Sequence, residues 1–202
     1  MDRPLRLDTL AVHAGTAPDP ETGAVTPPIH LSTTFERDVD GEYARGYSYQ
    51  RKANPTRTAL EAALMSLEGG AGAAAFASGS AATAAVIQTL ARGDHVIVPS
   101  DAYYGTRVIL DDCLATWGLD VSYVDISDVG AVRAAVRPST RLIWVETPSN
   151  PMLKVADIGA LVDVAHRAGA ICVCDNSLAT PVLSRPLAQG AKFCNCALQQ
   201  KS

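Results

Sequence analysis

Polar side chains fall in four short segments, and each segment directly follows an apolar run typical of a buried strand. The segments are residues 78–80, 101–106, 146–151 and 175–177. The Ser-Gly-Ser segment at 78–80 opens a helical stretch, so its backbone N–H groups and the positive helix end suit a phosphate group. Asp175 supplies a carboxylate, and Tyr103 and Tyr104 supply aromatic faces that suit a flat ligand. Together the segments predict an anion site, a buried carboxylate, an amide and an aromatic cover. Each alone is equally consistent with a tight turn, a helix cap or ordinary packing.

The elements that must position these segments alternate between strand and helix. A short apolar run at 73–77 predicts a strand, and further strands are predicted at 95–98, 121–124, 142–146 and 170–175. Helices are predicted from 79 to about 90, and at 106–116, 129–136 and 158–167, the last capped by Asp157. Short strands separated by helices predict an α/β fold, a three-layer sandwich with a mostly parallel sheet covered on both faces. Ligands of such sheets bind beyond the carboxyl ends of the strands.

The first 52 residues have a different character, rich in turn residues and prolines, and are predicted to form an arm. A helix is then predicted to start with Asn54 as its N-cap and Pro55 at its first position. Gly69 and Gly70 are expected to end it. The domain prediction is therefore an arm at 1–52, an α/β domain at 53–191, and an aberrant tail at 192–202.

Composition and charge narrow the classes of partner. The 202 residues are 48% apolar and carry a net charge of −4, which gives no electrostatic reason to expect nucleic acid or an anionic membrane. No apolar run has the length of a membrane span, and the N-terminus lacks a signal-peptide core, so a cytoplasmic location is expected.

The five cysteines are an odd number, which favours reduced thiols over a disulfide framework. Two Cys-x-Cys pairs, Cys172 with Cys174 and Cys194 with Cys196, leave a four-thiolate zinc site as an alternative. Small buried thiols are preferred for Cys172 and Cys174, because alternate residues share one face of a strand and structural zinc more often uses Cys-x-x-Cys spacing. No metal site is predicted.

The motifs as a set resemble the Cys/Met-metabolism pyridoxal-phosphate (PLP) family, which includes cystathionine γ-synthase and cystathionine γ-lyase. The resemblance covers about residues 8–191. It is carried by His13-Ala-Gly15, Pro27-Pro-Ile29, Ser32-Thr-Thr-Phe35, Tyr49-Gln-Arg51, Asn54-Pro-Thr56, Phe76-Ala-Ser-Gly79, Ala81-Ala-Thr83, Gly93-Asp-His95, Asp101-Ala-Tyr103, Glu146-Thr-Pro-Ser-Asn-Pro151 and Asp175-Asn-Ser177. It implies the large PLP-binding domain of fold-type I aminotransferase-like enzymes, here truncated and without the family's C-terminal domain, with pyridoxal 5'-phosphate as cofactor.

The resemblance also implies roles for individual residues. Gly79 and Ser80 would bind the cofactor phosphate through their backbone N–H groups, and Tyr103 would stack on the ring and assist proton transfer. Asp175 would pair with the ring nitrogen, Asn150 would hydrogen-bond the phenolic oxygen, and Ser177 would support this region.

Two further residues imply an assembly. Tyr49 and Arg51 would reach the phosphate of a neighbouring subunit, so a homodimer or homotetramer is expected, acting on a small amino-acid substrate. Arg51 suits this role because its planar fork binds phosphate at two points.

The last residues depart from the family, whose reactive lysine follows a Ser-x-Thr clamp some two dozen residues after the aspartate. No Ser-x-Thr-Lys occurs in the 202 residues. Lys201 lies near the expected position, but Leu198 and Gln200 stand where the clamp hydroxyls should be. Lys201 is therefore either the reactive lysine or an ordinary tail lysine, and impaired catalysis is expected.

The preferred parent activity is γ-replacement or γ-elimination on a homoserine ester or on cystathionine. Methionine γ-lyases usually carry cysteine two residues beyond the stacking tyrosine, where this chain has Gly105. O-acylhomoserine sulfhydrylase remains an alternative. A non-catalytic remnant, or a partner subunit of an intact paralogue, is the alternative from another class.

Overall fold

The computed structural model describes residues 5–197. Its contacts divide the chain into two compact units, residues 1–75 and 76–202. The first contains α1 (Leu7–His13) and α2 (Pro55–Glu68). The second contains a parallel sheet and its flanking helices. The predicted arm, domain and tail boundaries stay predictions.

Helix α2 begins and ends where the sequence predicts. The Asn54 side chain accepts a hydrogen bond from the Thr56 N–H at 2.9 Å, and Pro55 occupies the first turn, where its missing N–H has no cost. Gly69 ends the helix in the left-handed conformation, with φ of 71°. In the same unit a Cβ on Gly15 would overlap the Ala59 carbonyl oxygen, so this close approach requires glycine.

The sheet of the second unit has five parallel strands in the order β2-β1-β3-β4-β5. The strands are β1 (His95–Pro99), β2 (Asp120–Val124), β3 (Thr140–Glu146), β4 (Ile171–Asp175) and β5 (Phe193–Asn195). The predicted α/β class with a mostly parallel sheet is confirmed, and four of the strands lie where they were predicted. β5 was not predicted. The direction of strand addition reverses between β1 and β3, the position where open α/β sheets form a ligand crevice.

The flanking helices are α3 (Gly79–Ile87), α4 (Tyr104–Val108), α5 (Val129–Ala135), α6 (Ile158–Arg167) and α7 (Thr180–Leu183). Helix α6 has the predicted bounds, and its Asp157 cap accepts from the Ala160 N–H at 2.9 Å. The prediction of a regular helix at 106–116 is wrong, because α4 continues as a π-helical turn, Ile109–Cys113, and a 3₁₀ turn, Ala115–Trp117. Ile109 and Leu110 at the start of the π turn are both buried.

The strand interpretation of residues 73–77 is also wrong. This segment is mostly exposed, and within the part of the chain that the structure describes it pairs with no strand. A strand needs a neighbour to receive its backbone hydrogen bonds, so apolar composition alone does not create one.

The core fills both faces of the sheet because alternate side chains of each strand point to opposite faces. One face buries Ile97, Ile143, Val145, Cys172 and Cys174 against α5 and α6. The other buries Val96, Val98, Leu142, Trp144 and Val173 against residues of α3 and the π turn. Both faces are thus covered, as predicted.

Cys172 and Cys174 are fully buried on the face covered by α6, which confirms them as core thiols. Within the described residues neither belongs to a group of three or more side chains close enough to share a metal ion. The four thiols therefore do not come together as one group among these residues. Among the same residues, no helix is long and apolar enough to cross a membrane.

Candidate functional site

Three polar side chains lie in a row across the carboxyl ends of β3, β4 and β5. The strand register pairs Glu146 with Asp175 and Asp175 with Asn195. By strand alternation all three lie on the sheet face that carries Trp144 and Val173, the face that α3 covers. The row therefore faces the ligand crevice expected of this topology.

Asp175 is held by two hydrogen bonds, one to each carboxylate oxygen. The Ser177 N–H donates to Oδ1 at 3.0 Å, and Asn195 Nδ2 donates to Oδ2 at 2.9 Å. Asn195 Nδ2 also lies 3.3 Å from the Thr83 hydroxyl on α3. The carboxylate is thus fixed at the end of β4 and connected through Asn195 to the first turns of α3.

The N-terminus of α3 presents unpaired backbone donors. Ser78 Oγ accepts from the Ala81 N–H at 3.1 Å, and within residues 5–197 no hydrogen bond engages the N–H groups of Gly79 or Ser80. A Cβ on Gly79 would lie 2.9 Å from the Ala197 methyl group, closer than real Cβ atoms approach. Glycine is therefore needed here, and the two donors fit the helix-end anion site predicted from sequence.

Tyr103 follows β1, and its half-exposed ring lies beside Gly105. A Cβ on Gly105 would lie 2.6 Å from Tyr103 Cε1 and 3.4 Å from Ser80 Oγ. Gly105 thus stands between the tyrosine ring and the start of α3, and the aromatic face and the helix end share one neighbourhood.

Glu146 joins the loop after β1 to the loop after β3. Oε2 accepts from the Tyr103 N–H at 2.8 Å, and Oε1 accepts from the Asn150 N–H at 3.1 Å. Its side chain is only 5% exposed. Burial raises the pKa of Glu146, the charges of Asp175 and Asp101 raise it further, and the two N–H donors oppose the shift. Asp101 in turn accepts from Ser149 Oγ at 2.7 Å, which ties the same two loops together.

Ser177 lies beside this row and carries one more contact. Its Oγ accepts from the Ala197 N–H at 2.7 Å, so the end of the described chain reaches back to the loop after β4. Through Ala197, Ser177 is connected to the neighbourhood of Gly79.

Tyr49 and Arg51 belong to the first unit. The Arg51 guanidinium lies 4.9 Å from the centre of the Tyr49 ring, and Tyr49 bridges Thr34 in antiparallel fashion. Lys201 lies outside the described residues.

The structure therefore brings together six of the residues predicted from sequence, namely Gly79, Ser80, Tyr103, Asn150, Asp175 and Ser177. Two polar residues at their centre, Glu146 and Asn195, were not predicted as site residues. The Glu-Thr-Pro-Ser-Asn segment was a signal for Glu146, whereas a polar residue in an unpredicted strand gave no signal for Asn195.

A parallel sheet with a helix-end anion site, an aromatic cover and a fixed carboxylate at its switch point defines an open α/β cofactor-binding domain. The chain belongs to the family of Cys/Met metabolism PLP-dependent enzymes, whose sequence model matches residues 8–195.

Individual relatives agree with this assignment. Cystathionine gamma-synthase of Mycobacterium tuberculosis is 48% identical over 184 residues, which cover 91% of this chain and 47% of the relative. Cystathionine gamma-lyase of Bacillus subtilis is 41% identical over 187 residues, covering 93% and 49%. The crystal structure of metB from Corynebacterium glutamicum has a TM-score of 0.89 and 41% identity, covering 93% and 49%. The chain spans about half the length of each.

Proposed function

We propose that this chain binds pyridoxal 5'-phosphate in the crevice between α3 and the carboxyl ends of β1, β3 and β4. Gly79 and Ser80 bind the phosphate through their N–H groups, and Tyr103 covers the ring. Asp175 pairs with the ring nitrogen, Asn150 hydrogen-bonds the phenolic oxygen, and Ser177 supports the loop beside them. The observation that carries the proposal is the fixed carboxylate of Asp175, connected through Asn195 to the helix whose first N–H groups have no partner among residues 5–197.

The available groups match the chemistry of this cofactor. A phosphate dianion suits two unpaired N–H groups at a helix start, where the helix dipole also favours negative charge. A half-buried carboxylate held by two hydrogen bonds suits a protonated ring nitrogen, because the opposite charge is fixed before the ligand arrives. When bound, the cofactor withdraws electrons from the substrate carbon as an electron sink. The chain itself binds, orients and keeps the ring nitrogen protonated.

We propose for the whole enzyme a transsulfuration activity, γ-replacement or γ-elimination on a homoserine ester or cystathionine. The cystathionine gamma-synthase and gamma-lyase relatives support this class, while O-acylhomoserine sulfhydrylase stays an alternative. Tyr49 and Arg51 would contribute to the phosphate site of a second subunit in a homodimer or homotetramer.

We propose that the 202-residue chain alone has negligible turnover, because it contains no Ser-x-Thr-Lys. Lys154, in the loop after β3, is not a substitute. Its Nζ lies 2.8 Å from Asp125 Oδ2, and this hydrogen bond raises the pKa of Lys154, which keeps the amine protonated and non-nucleophilic. A partner subunit of an intact paralogue is the corresponding non-catalytic role.

The test is a titration of the chain with pyridoxal 5'-phosphate, monitored by quenching of tryptophan fluorescence. Borohydride reduction and mass spectrometry then identify any lysine that has reacted. We expect saturable binding, at least about tenfold weaker in Asp175→Asn, the effect of losing one charge-assisted hydrogen bond. Asp163→Asn, at an exposed position of α6, is the matched control and should keep wild-type affinity. Equal affinity in Asp175→Asn and wild type would refute the site, and a lysine reduced in high yield together with turnover would refute the predicted inactivity.

A further inference from the structure

The carboxylate of Glu146 connects the two loops that carry Tyr103 and Asn150, beside the Ser149–Asp101 hydrogen bond between the same loops. The loops follow β1 and β3, the two strands between which strand addition reverses, so their relative position is not set by a continuous stretch of chain. Glu146 Oε2 accepts from the Tyr103 N–H at 2.8 Å and Oε1 accepts from the Asn150 N–H at 3.1 Å. Each oxygen serves a different loop.

The surroundings of Glu146 make these two bonds strong and their loss costly. The side chain is 5% exposed, so water does not replace a lost protein donor efficiently. Among residues 5–197, the charged groups that act on it are Asp101 and Asp175, and both are acidic. A carboxylate kept among acidic neighbours without a basic partner is unfavourable unless its hydrogen bonds are specific.

We infer that Glu146 is a positioning residue, which fixes the backbone of Tyr103 and of Asn150 so that both side chains meet the same flat ligand. This role rests on the proposed function, because it is the proposed cofactor that gives Tyr103 and Asn150 their common target. Glu146 itself touches the two loops rather than the ligand.

Ionisation of Glu146 gives a measurable signature of this role. The ionised carboxylate accepts with both oxygens, whereas the protonated acid donates from one of them, so one of the two N–H bonds must weaken on protonation. Burial raises the pKa of Glu146 above the usual carboxyl range. Both N–H groups should therefore report the same protonation event.

The first experiment follows the backbone ¹⁵N–¹H resonances of the 202-residue chain during a pH titration without cofactor. We expect Tyr103 and Asn150 to shift with one shared midpoint above that of exposed carboxyl groups, and the shift to vanish in Glu146→Gln. Glu61→Gln is the matched control, because Glu61 Oε1 also accepts a backbone N–H, that of Ala75 at 2.9 Å, in the other unit. Different midpoints for the Tyr103 and Asn150 resonances in the wild-type chain would overturn the inference, and this measurement needs no variant. A titration that persists in Glu146→Gln would also overturn it.

The second experiment compares two ligands. Glu146→Gln should weaken pyridoxal 5'-phosphate binding by about tenfold, since an amide group opposes one N–H donor, while inorganic phosphate binding at α3 stays within about twofold of wild type. Glu146→Asp keeps the charge with a shorter reach, so its affinity for pyridoxal 5'-phosphate should lie between those of the wild-type chain and Glu146→Gln. Equal loss for both ligands would indicate general damage and overturn the positioning role. If the wild-type chain binds no pyridoxal 5'-phosphate, the proposed function fails, while the resonance titration still decides whether Glu146 fixes the two loops.

Discussion

Asn195 Nδ2 donates to Asp175 Oδ2 at 2.9 Å between the neighbouring strands β5 and β4. The same amide reaches the Thr83 hydroxyl at 3.3 Å, and Asn195 is only 6% exposed. A short edge strand thus holds the carboxylate on which the proposed site depends.

Asn195→Asp should reverse this interaction, because two carboxylates would then face each other in a partly buried place. We expect a loss of about 2–4 kcal/mol in the free energy of unfolding at pH 7, which combines a lost donor with charge repulsion. The loss should shrink at pH 4, where protonation relieves the repulsion. Urea unfolding at both pH values measures it. Asn195→Leu is the control, since it removes the donor without adding charge, and a pH-dependent deficit as large as that of Asn195→Asp would contradict the explanation.

Gly105 provides a test of the tyrosine position. A Cβ at residue 105 would lie 2.6 Å from Tyr103 Cε1, so Gly105→Ala must turn the ring away. Gly105 lies in α4, where alanine is about 1 kcal/mol better than glycine, and this offsets part of the strain. We therefore expect near-normal stability but pyridoxal 5'-phosphate binding weakened by about threefold to tenfold, the contribution of one aromatic contact.

Fluorescence titration and thermal unfolding of the same samples measure the two effects of Gly105→Ala. Gly72→Ala is the matched control, because a Cβ at Gly72 meets nothing within 4 Å. Unchanged affinity in Gly105→Ala would show that the ring position does not matter for the ligand.

The sequence was informative where local chemistry decides structure. The start of α6 follows from Asp157, whose side chain accepts a hydrogen bond from the N–H three residues later. The start and end of α2 follow from Asn54 and Gly69. Segment 73–77 and the π turn at Ile109–Cys113 could not be predicted in this way. A strand depends on a neighbouring strand, and the course of the π turn depends on packing against residues distant in sequence. The convergence of Tyr103 and Asn150 on Glu146 depends on the order of β1 and β3, which local patterns do not contain.

His95 at the start of β1 gives a prediction far from the proposed site. It is fully buried, with Nδ1 2.7 Å from Thr140 Oγ1 and Nε2 2.9 Å from Ser122 Oγ. Burial lowers the pKa of His95, the nearby charge of Arg137 lowers it further, and Asp120 opposes the shift. The folded protein therefore prefers neutral His95, whereas the unfolded chain takes up a proton below about pH 6.5.

This difference in proton binding between the folded and unfolded states decides how the free energy of unfolding changes with pH. The contribution of His95 to stability is complete above about pH 6.5 and falls as the pH drops toward the lowered native pKa, by at most about 1.4 kcal/mol per pH unit. Urea unfolding between pH 8 and pH 5 should show this slope in the wild-type chain and a smaller one in His95→Gln. The exposed His166 on α6 is the control site, and His166→Gln should keep the wild-type slope. An identical slope in His95→Gln would assign the pH dependence to other groups.

Cys172 and Cys113 should differ strongly in reactivity. Cys172 is fully buried on β4, and burial raises the pKa of its thiol to about 12, so both its thiolate fraction and its access to reagents are low. Cys113 ends the π turn and is exposed. We expect iodoacetamide at pH 8 to alkylate Cys113 at least about a hundredfold faster than Cys172, measured by peptide mass spectrometry. In urea the two rates should become similar, because unfolding removes the burial that separates them. Rapid alkylation of Cys172 in the folded chain would mean that β4 is not packed beneath α6, and the carboxylate at its end would then have no fixed position.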